Sequence, residues 1–192
     1  SPESSAFALP ELPVSIRIDA ISVGQVVLGE SILGEPITLS TTGSLVLKDG
    51  EGAANLEIAR VGGPEGRFSL VAGYSNISRV LAFNLALQEA ENGLAATLLQ
   101  LPDSPALALT INGNAPIDDF AASVALSSGG QPRLAGKVTT FVSPQANSEI
   151  AGDRRIDVDI AGDLTALFAP EYQAFFGDEV ALKSQINMFA DG

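Results

Sequence analysis

The sequence predicts an all-β protein of antiparallel strands, accompanied by two short amphipathic helices. Three observations carry this expectation. Apolar and polar residues alternate with period two along most of the chain, as strands with one covered and one wet face require. The alternating runs are separated by short turns rich in Gly, Asn and Asp. The chain of 192 residues is 46% hydrophobic yet carries a net charge of -13, a combination that one-sided strands accommodate.

The elements follow in order. Ile16 and Ile18 lie on the first strand. Ile37, Leu39, Leu45 and Leu47 share one parity on the next, with Thr41 and Gly43 in phase between them. Asp49-Gly50 then turns the chain, because Gly accepts the positive φ of a tight primed turn. Leu56 and Ile58 point one way on the return strand, and the turn Gly62-Gly63-Pro64-Glu65-Gly66 follows. Phe68, Leu70, Ala72 and Tyr74 form the next inner row. After a polar turn around Asn76 come Leu81, Phe83, Leu85 and Leu87. Short turns of this kind imply neighbouring antiparallel strands in a meander.

A second block repeats the design. Leu107, Leu109 and Ile111 alternate with Ala108 and Thr110, and Asn112-Gly113-Asn114 is expected to turn the chain toward Ala122, Val124 and Leu126. Ser128-Gly129-Gly130 turns it again, before Leu134, Val138 and Val142. Beyond a polar loop at 143–153, Ile156, Val158 and Ile160 alternate with Asp157 and Asp159, and the last strand carries Val180, Leu182, Ile186 and Met188.

Two segments have helical spacing instead. Asn92 is expected to cap a helix over about 92–101, in which Leu94, Leu98 and Leu101 recur at i, i+4 and i+7 before Pro102 and Pro105. Asp163 caps another over about 163–176, where Leu164, Leu167, Phe168, Tyr172, Phe175 and Phe176 line one side; Pro170 divides it, with Glu171 near the start of its second part. Strand, helix and strand thus recur about 70 residues apart, so the chain reads as two groove repeats, 1–101 and 102–192. Its first residue is Ser and its only methionine is Met188, which reads as a piece of a longer protein.

Composition also excludes. Without His or Cys there is no Ser-His-Asp triad, thiol nucleophile, disulfide framework or Cys/His zinc site. None of Lys48, Lys137 and Lys183 has a Ser three residues before it, and neither a Walker loop nor a GxGxxG turn occurs. The expectation is a non-enzyme that needs no cofactor. Ten basic residues against 23 acidic ones argue against nucleic acid. A large aliphatic face must be covered by a second sheet, by helices or by a foreign apolar molecule. The two short helices are too small for the task. If the sheet curls into a trough, acyl chains can occupy it; if it closes on itself, the same rows are the core of a β-sandwich.

The run Leu12-Pro-Val-Ser-Ile-Arg-Ile-Asp-Ala-Ile-Ser-Val-Gly-Gln-Val-Val-Leu-Gly29 resembles the periplasmic body of the TamB family, the translocation and assembly module subunit, in its alphaproteobacterial form. Ile37-Thr-Leu-Ser-Thr-Thr-Gly-Ser-Leu-Val-Leu-Lys-Asp-Gly50 and Leu101-Pro-Asp-Ser-Pro-Ala-Leu-Ala-Leu-Thr-Ile-Asn-Gly113 resemble it too. The likeness extends over most of 9–142 and more weakly to the end, through Pro170-Glu171-Tyr172 and Phe175-Phe176-Gly177. It implies a β-taco architecture, with the antiparallel strands curled into an elongated groove that has a hydrophobic interior, an anchor in the inner membrane outside this fragment, and a location in the Gram-negative periplasm. It also implies a TamA-like outer-membrane partner reached through other parts of the full-length chain. The implied work is moving phospholipid between membranes or assisting outer-membrane protein assembly, with no catalytic residues. The groove maps onto the alternating positions named above, and Phe168, Phe175 and Phe176 either cap the end of the sheet or gate the lipid path.

Three local features have plainer readings. Asp153, Asp157, Asp159 and Asp163 are read as a solvated outer face rather than a calcium site. Asp118-Asp119 reads as a turn, and the sequon Asn76-Ile77-Ser78 as without meaning in a bacterium.

Overall fold

The computed structural model describes residues 7–11, 13–30, 36–143, 153–177 and 179–188, with Phe176 as backbone alone. Ten strands follow one another: β1 (Ile16–Leu28), β2 (Ile37–Lys48), β3 (Glu51–Val61), β4 (Gly66–Ser75), β5 (Val80–Glu89), β6 (Leu107–Pro116), β7 (Asp119–Ser128), β8 (Gln131–Val142), β9 (Arg154–Gly162) and β10 (Val180–Met188). Their order in space is their order in the chain, and every neighbouring pair is antiparallel. They form one curled sheet that does not close on itself, so β1 and β10 are edges. The closed β-sandwich is thereby overturned, since all ten strands belong to one sheet that stays unclosed.

The turns obey local chemistry. Asp49 and Gly50 both take positive φ, 50° and 73°, as a two-residue primed hairpin demands. Gly129 and Gly130 do the same between β7 and β8. The expected turn at Asn112-Gly113-Asn114 is wrong. These residues continue β6, and the chain reverses at Ile117 and Asp118.

Both longer connections follow odd-numbered strands, β5 and β9, and in a strict meander these emerge at the same end of the sheet. The first holds α1 (Leu94–Leu98), shorter than the expected 92–101. Asn92 does not cap it, having a left-handed φ of 59°. The Glu89 carboxylate, at the end of β5, instead accepts the Ala95 N–H at 2.7 Å. The second holds a 3₁₀ turn at Thr165–Leu167 and α2 (Pro170–Phe176). Leu164, not Asp163, is the N-cap of the 3₁₀ turn, although the Asp163 carboxylate one residue earlier accepts the Thr165 N–H at 2.9 Å; Pro170 does open the second helix with Glu171 in its first turn. The boundary at 101/102 falls in the first connection, yet β5 and β6 pair across it from Val80↔Pro116 to Glu89↔Leu107.

Glycines mark where backbones crowd. A Cβ on Gly136 of β8 would lie 2.6 Å from the Ile160 Cα and closer still to the Asp159 carbonyl. One on Gly162 of β9 would lie 2.7 Å from the Leu134 Cα and closer still to the Arg133 carbonyl. Gly43 and Gly113 meet neighbouring carbonyl oxygens at 2.9 and 2.7 Å in the same way. We expect Gly136→Ala and Gly162→Ala each to cost about 1–3 kcal/mol through forced backbone displacement. Gly24→Ala in β1, with nothing within 4 Å, should be nearly neutral; urea unfolding of the three variants checks this.

Candidate functional site

Directly paired residues share a face, so the register carries each side chain's face across the whole sheet. One row runs Leu45, Ala54, Ala72, Phe83, Gly113, Ala122, Val138, Val158. A second runs Gly43, Leu56, Leu70, Leu85, Ile111, Val124, Gly136, Ile160, Leu182. A third runs Thr41, Ile58, Phe68, Leu87, Leu109, Leu126, Leu134. Ile16, Ile18, Leu39, Leu47, Leu81, Leu107, Ile156, Val180 and Ile186 pair into the same face. All the aliphatic positions singled out from alternation therefore fall on one side. Sequence reading missed Ile21, Val23 and Val26, which pair with Gly43, Thr41 and Leu39. Two bulges in β1, between Ile18 and Ile21 and between Val23 and Val26, each reset the alternation that would have revealed them.

This face is half covered. Along β3, β6 and β7 its residues are consistently less exposed than their neighbours on the other face. Among the described residues, however, no large side chain is fully buried, and only Ile37, Tyr74, Ala96, Leu107, Phe120 and Ala122 form a buried apolar core. Side chains toward the edges are open, with Ile21 46% and Leu182 57% exposed. Phe83 and Phe120 stack at 5.8 Å over Gly113, where the Phe120 ring occupies the space a Cβ would need.

At the end opposite the helices, residues 7–9 cross the same face. Phe7 packs edge-on against Tyr74 at 5.1 Å, and the Tyr74 hydroxyl donates to the Phe7 carbonyl. The Asn76 side chain accepts from the Leu9 N–H at 2.8 Å and donates to the Leu9 carbonyl at 2.9 Å, so this asparagine, read as without meaning, is a backbone clamp. Leu9 lies over Gly52, whose missing side chain makes room for it. Leu9, Leu45, Leu47, Gly52, Ala72, Tyr74 and Leu81 surround an apolar cleft of about 220 Å³. The clamp is braced by Arg79, which holds Asp118 through two bonds of 2.6 and 2.8 Å and also donates to the Phe7 carbonyl.

The opposite face has wider hollows. One of about 540 Å³ is lined by Ala53, Val71, Ala82, Asn84, Asn112 and Asn114 among others, and another of about 350 Å³ by Ser22, Thr42, Ser44, Asn55 and Ser69 among others. These linings mix Asn, Ser and Thr with Ala, Val and Leu. Asn84 and Asn112 sit directly opposite one another on β5 and β6, a signal misread as a turn. The acidic residues do not converge: Asp157 pairs with Arg155 at 2.9 Å, Asp159 with Lys183 at 3.6 Å and Asp163 with Arg133 at 3.6 Å. Thr165, through its hydroxyl and its N–H, holds the Asp163 carboxyl below the usual range. Phe168 is half-buried, Phe175 is 85% exposed, and the Phe176 side chain lies outside the described residues.

The fold and the site together define a single-layered, open antiparallel β-sheet protein with one apolar face. Family models, curated proteins and solved structures yield no match to this chain. No helix among the described residues is long and apolar enough to cross a membrane.

Asp118 sets a pH dependence. The hydrogen bond from Arg79 holds its carboxyl below the model-compound value of 3.8, so its contribution to stability is present above that value and lost as pH falls through the lower, folded value. The pair is partly exposed, with side chains 33% and 42% accessible. Asp118→Asn should therefore cost only about 1 kcal/mol at neutral pH. The deficit relative to wild type should shrink below about pH 4; urea unfolding at several pH values reads this directly.

Proposed function

We propose that this chain is a non-enzymatic periplasmic module whose apolar face forms the floor of a groove that holds acyl chains. In this reading it helps pass phospholipids between the inner and outer membranes of a Gram-negative cell. The observation that carries it is an aliphatic face ten strands wide on which, among the described residues, no large side chain is fully buried. Leaving such a face to water costs roughly 25 cal/mol per Å², and acyl chains match rows of Leu, Ile, Val and Phe with no need of directional partners. The crowded glycines support a floor rather than an outer wall, because Gly43, Gly113, Gly136 and Gly162 all belong to the apolar face and neighbouring backbone rises on that side. Residues 7–9 already lay Leu9 and Phe7 onto this surface, a protein stand-in for a foreign apolar chain.

The resemblance to the TamB family points the same way. It supplies the inner-membrane anchor outside this fragment and the TamA-like partner reached through other segments. A second reading, a scaffold for outer-membrane β-proteins, is favoured by the two exposed edge strands.

Protein purified without detergent should carry lipid adducts in native mass spectrometry. Phe83→Asp or Leu85→Asp, each placing a charge in the middle of a row, should weaken uptake of a fluorescent fatty acid at least about tenfold, a loss of about 1.4 kcal/mol, with the circular dichroism of the sheet retained. Wild-type protein that holds no lipid and takes up no fatty acid would sink the reading. Binding that survives both substitutions would sink the choice of face.

A further inference from the structure

Residues 7–9 cross the apolar face as a strap, and between strap and sheet lies the apolar cleft of about 220 Å³. The Leu9 side chain stands over Gly52 and roofs it. Small residues hollow its floor: Ala54 and Ala72 are directly paired, with Gly52 beside them, between the larger Leu47 and Leu81. The polar groups around the cleft already have partners. Asn76 takes both polar backbone atoms of Leu9, the Tyr74 hydroxyl donates to the Phe7 carbonyl, and Arg79 holds Asp118. The clamp thus takes up the strap's polar backbone and leaves the Leu9 side chain to line the cleft. No charged side chain among the described residues lines it, and the nearby hairpin between β2 and β3 carries the acidic Asp49 and Glu51. A lipid head group brought here would lose water without compensation, whereas a hollow lined in this way favours hydrocarbon.

We propose that this cleft seats the methyl end of a bound acyl chain, with Leu9 closing over it, so that the lipid lies tail-first toward Tyr74 and its head group points away from the strap. The inference rests on the acyl-chain reading of the apolar face and adds to it an orientation and a stop. Beyond the cleft the same face continues along β3 and β4 through the pairs Leu56 with Leu70 and Ile58 with Phe68. From Gly52 to Ile58 this floor runs about 20 Å, at roughly 3.3 Å per residue. One acyl chain spans half of a bilayer's hydrocarbon core, about 15 Å, so the body of the chain fits between the cleft and Ile58. The strap is then a positioning wall: it fixes where the tail ends and leaves the rest of the chain to the open rows.

Photolabelling of the wild-type chain with two palmitic acids tests this, one carrying a diazirine on its last carbon and the other beside the carboxyl group. The terminal probe should label peptides that contain Leu9, Leu47 or Leu81, and the carboxyl-proximal probe should leave them unlabelled. Ala72→Leu, which fills the floor, should weaken palmitate uptake about fivefold, equal to about 1 kcal/mol, and move the terminal label away from Leu9. Asn76→Ala, which unclips the strap, should weaken uptake in the same direction. A terminal label spread evenly over the sheet, or a carboxyl-proximal probe that labels Leu9, overturns the orientation while acyl binding stands. Tighter binding by Asn76→Ala makes the strap a competitor for the cleft rather than its wall, and overturns the proposal equally. No labelling by either probe removes both the orientation and the acyl-chain reading beneath it.

Discussion

The alternation of side chains across a pleated strand, carried from strand to strand by antiparallel register, is the constraint on which everything else in this molecule depends. A residue's face on β1 fixes the face of its partner on β2, and so on to β10, because direct partners cannot lie on opposite sides. A slip of one residue in any hairpin would send every later aliphatic side chain to the polar face. The two-residue turns at Asp49-Gly50 and Gly129-Gly130, with their positive φ values, are what forbid such slips. Where β1 does slip, it does so twice, and both bulges leave Ile21, Val23 and Val26 on the apolar side.

A sheet held together this way gains little from burial in the ordinary sense. Its stability rests on backbone pairing, on cross-strand contacts such as Phe68 with Leu87 and Leu85 with Ile111, and on local clusters at its two ends. At one end Glu89 caps α1 and Ala96 is fully buried. At the other, Phe7, Tyr74, Asn76, Arg79 and Asp118 knit the N-terminal segment to two turns. The apolar face between these clusters stays partly open, and the proposal of lipid binding rests on that openness.

Much of this was legible in the sequence. Strand alternation, the Gly-containing turns and the Pro170 break each act locally, so their reading survived in the structure. The misreadings share a cause. Asn112-Gly113-Asn114 has turn chemistry, yet Gly113 is used for the space it leaves beneath Phe120, a demand set by a residue on the next strand. Asn92 has cap chemistry, yet Glu89 does that work from the end of β5. The clamp of Asn76 on Leu9 was missed because the two are 67 positions apart. Pairings over such distances leave no local pattern, and neither do the bulges of β1, which erase the alternation by which a strand is recognised.

The meander has a consequence for how the molecule is made. Every strand completes its ladder with the strand just synthesised, so the polypeptide needs no distant segment before it begins to order. Strands pair only with their neighbours in sequence, which favours zipper-like growth. A chain that emerges N-terminus first during synthesis can therefore fold as it appears, hairpin upon hairpin. Each new strand covers the raw edge left by its predecessor.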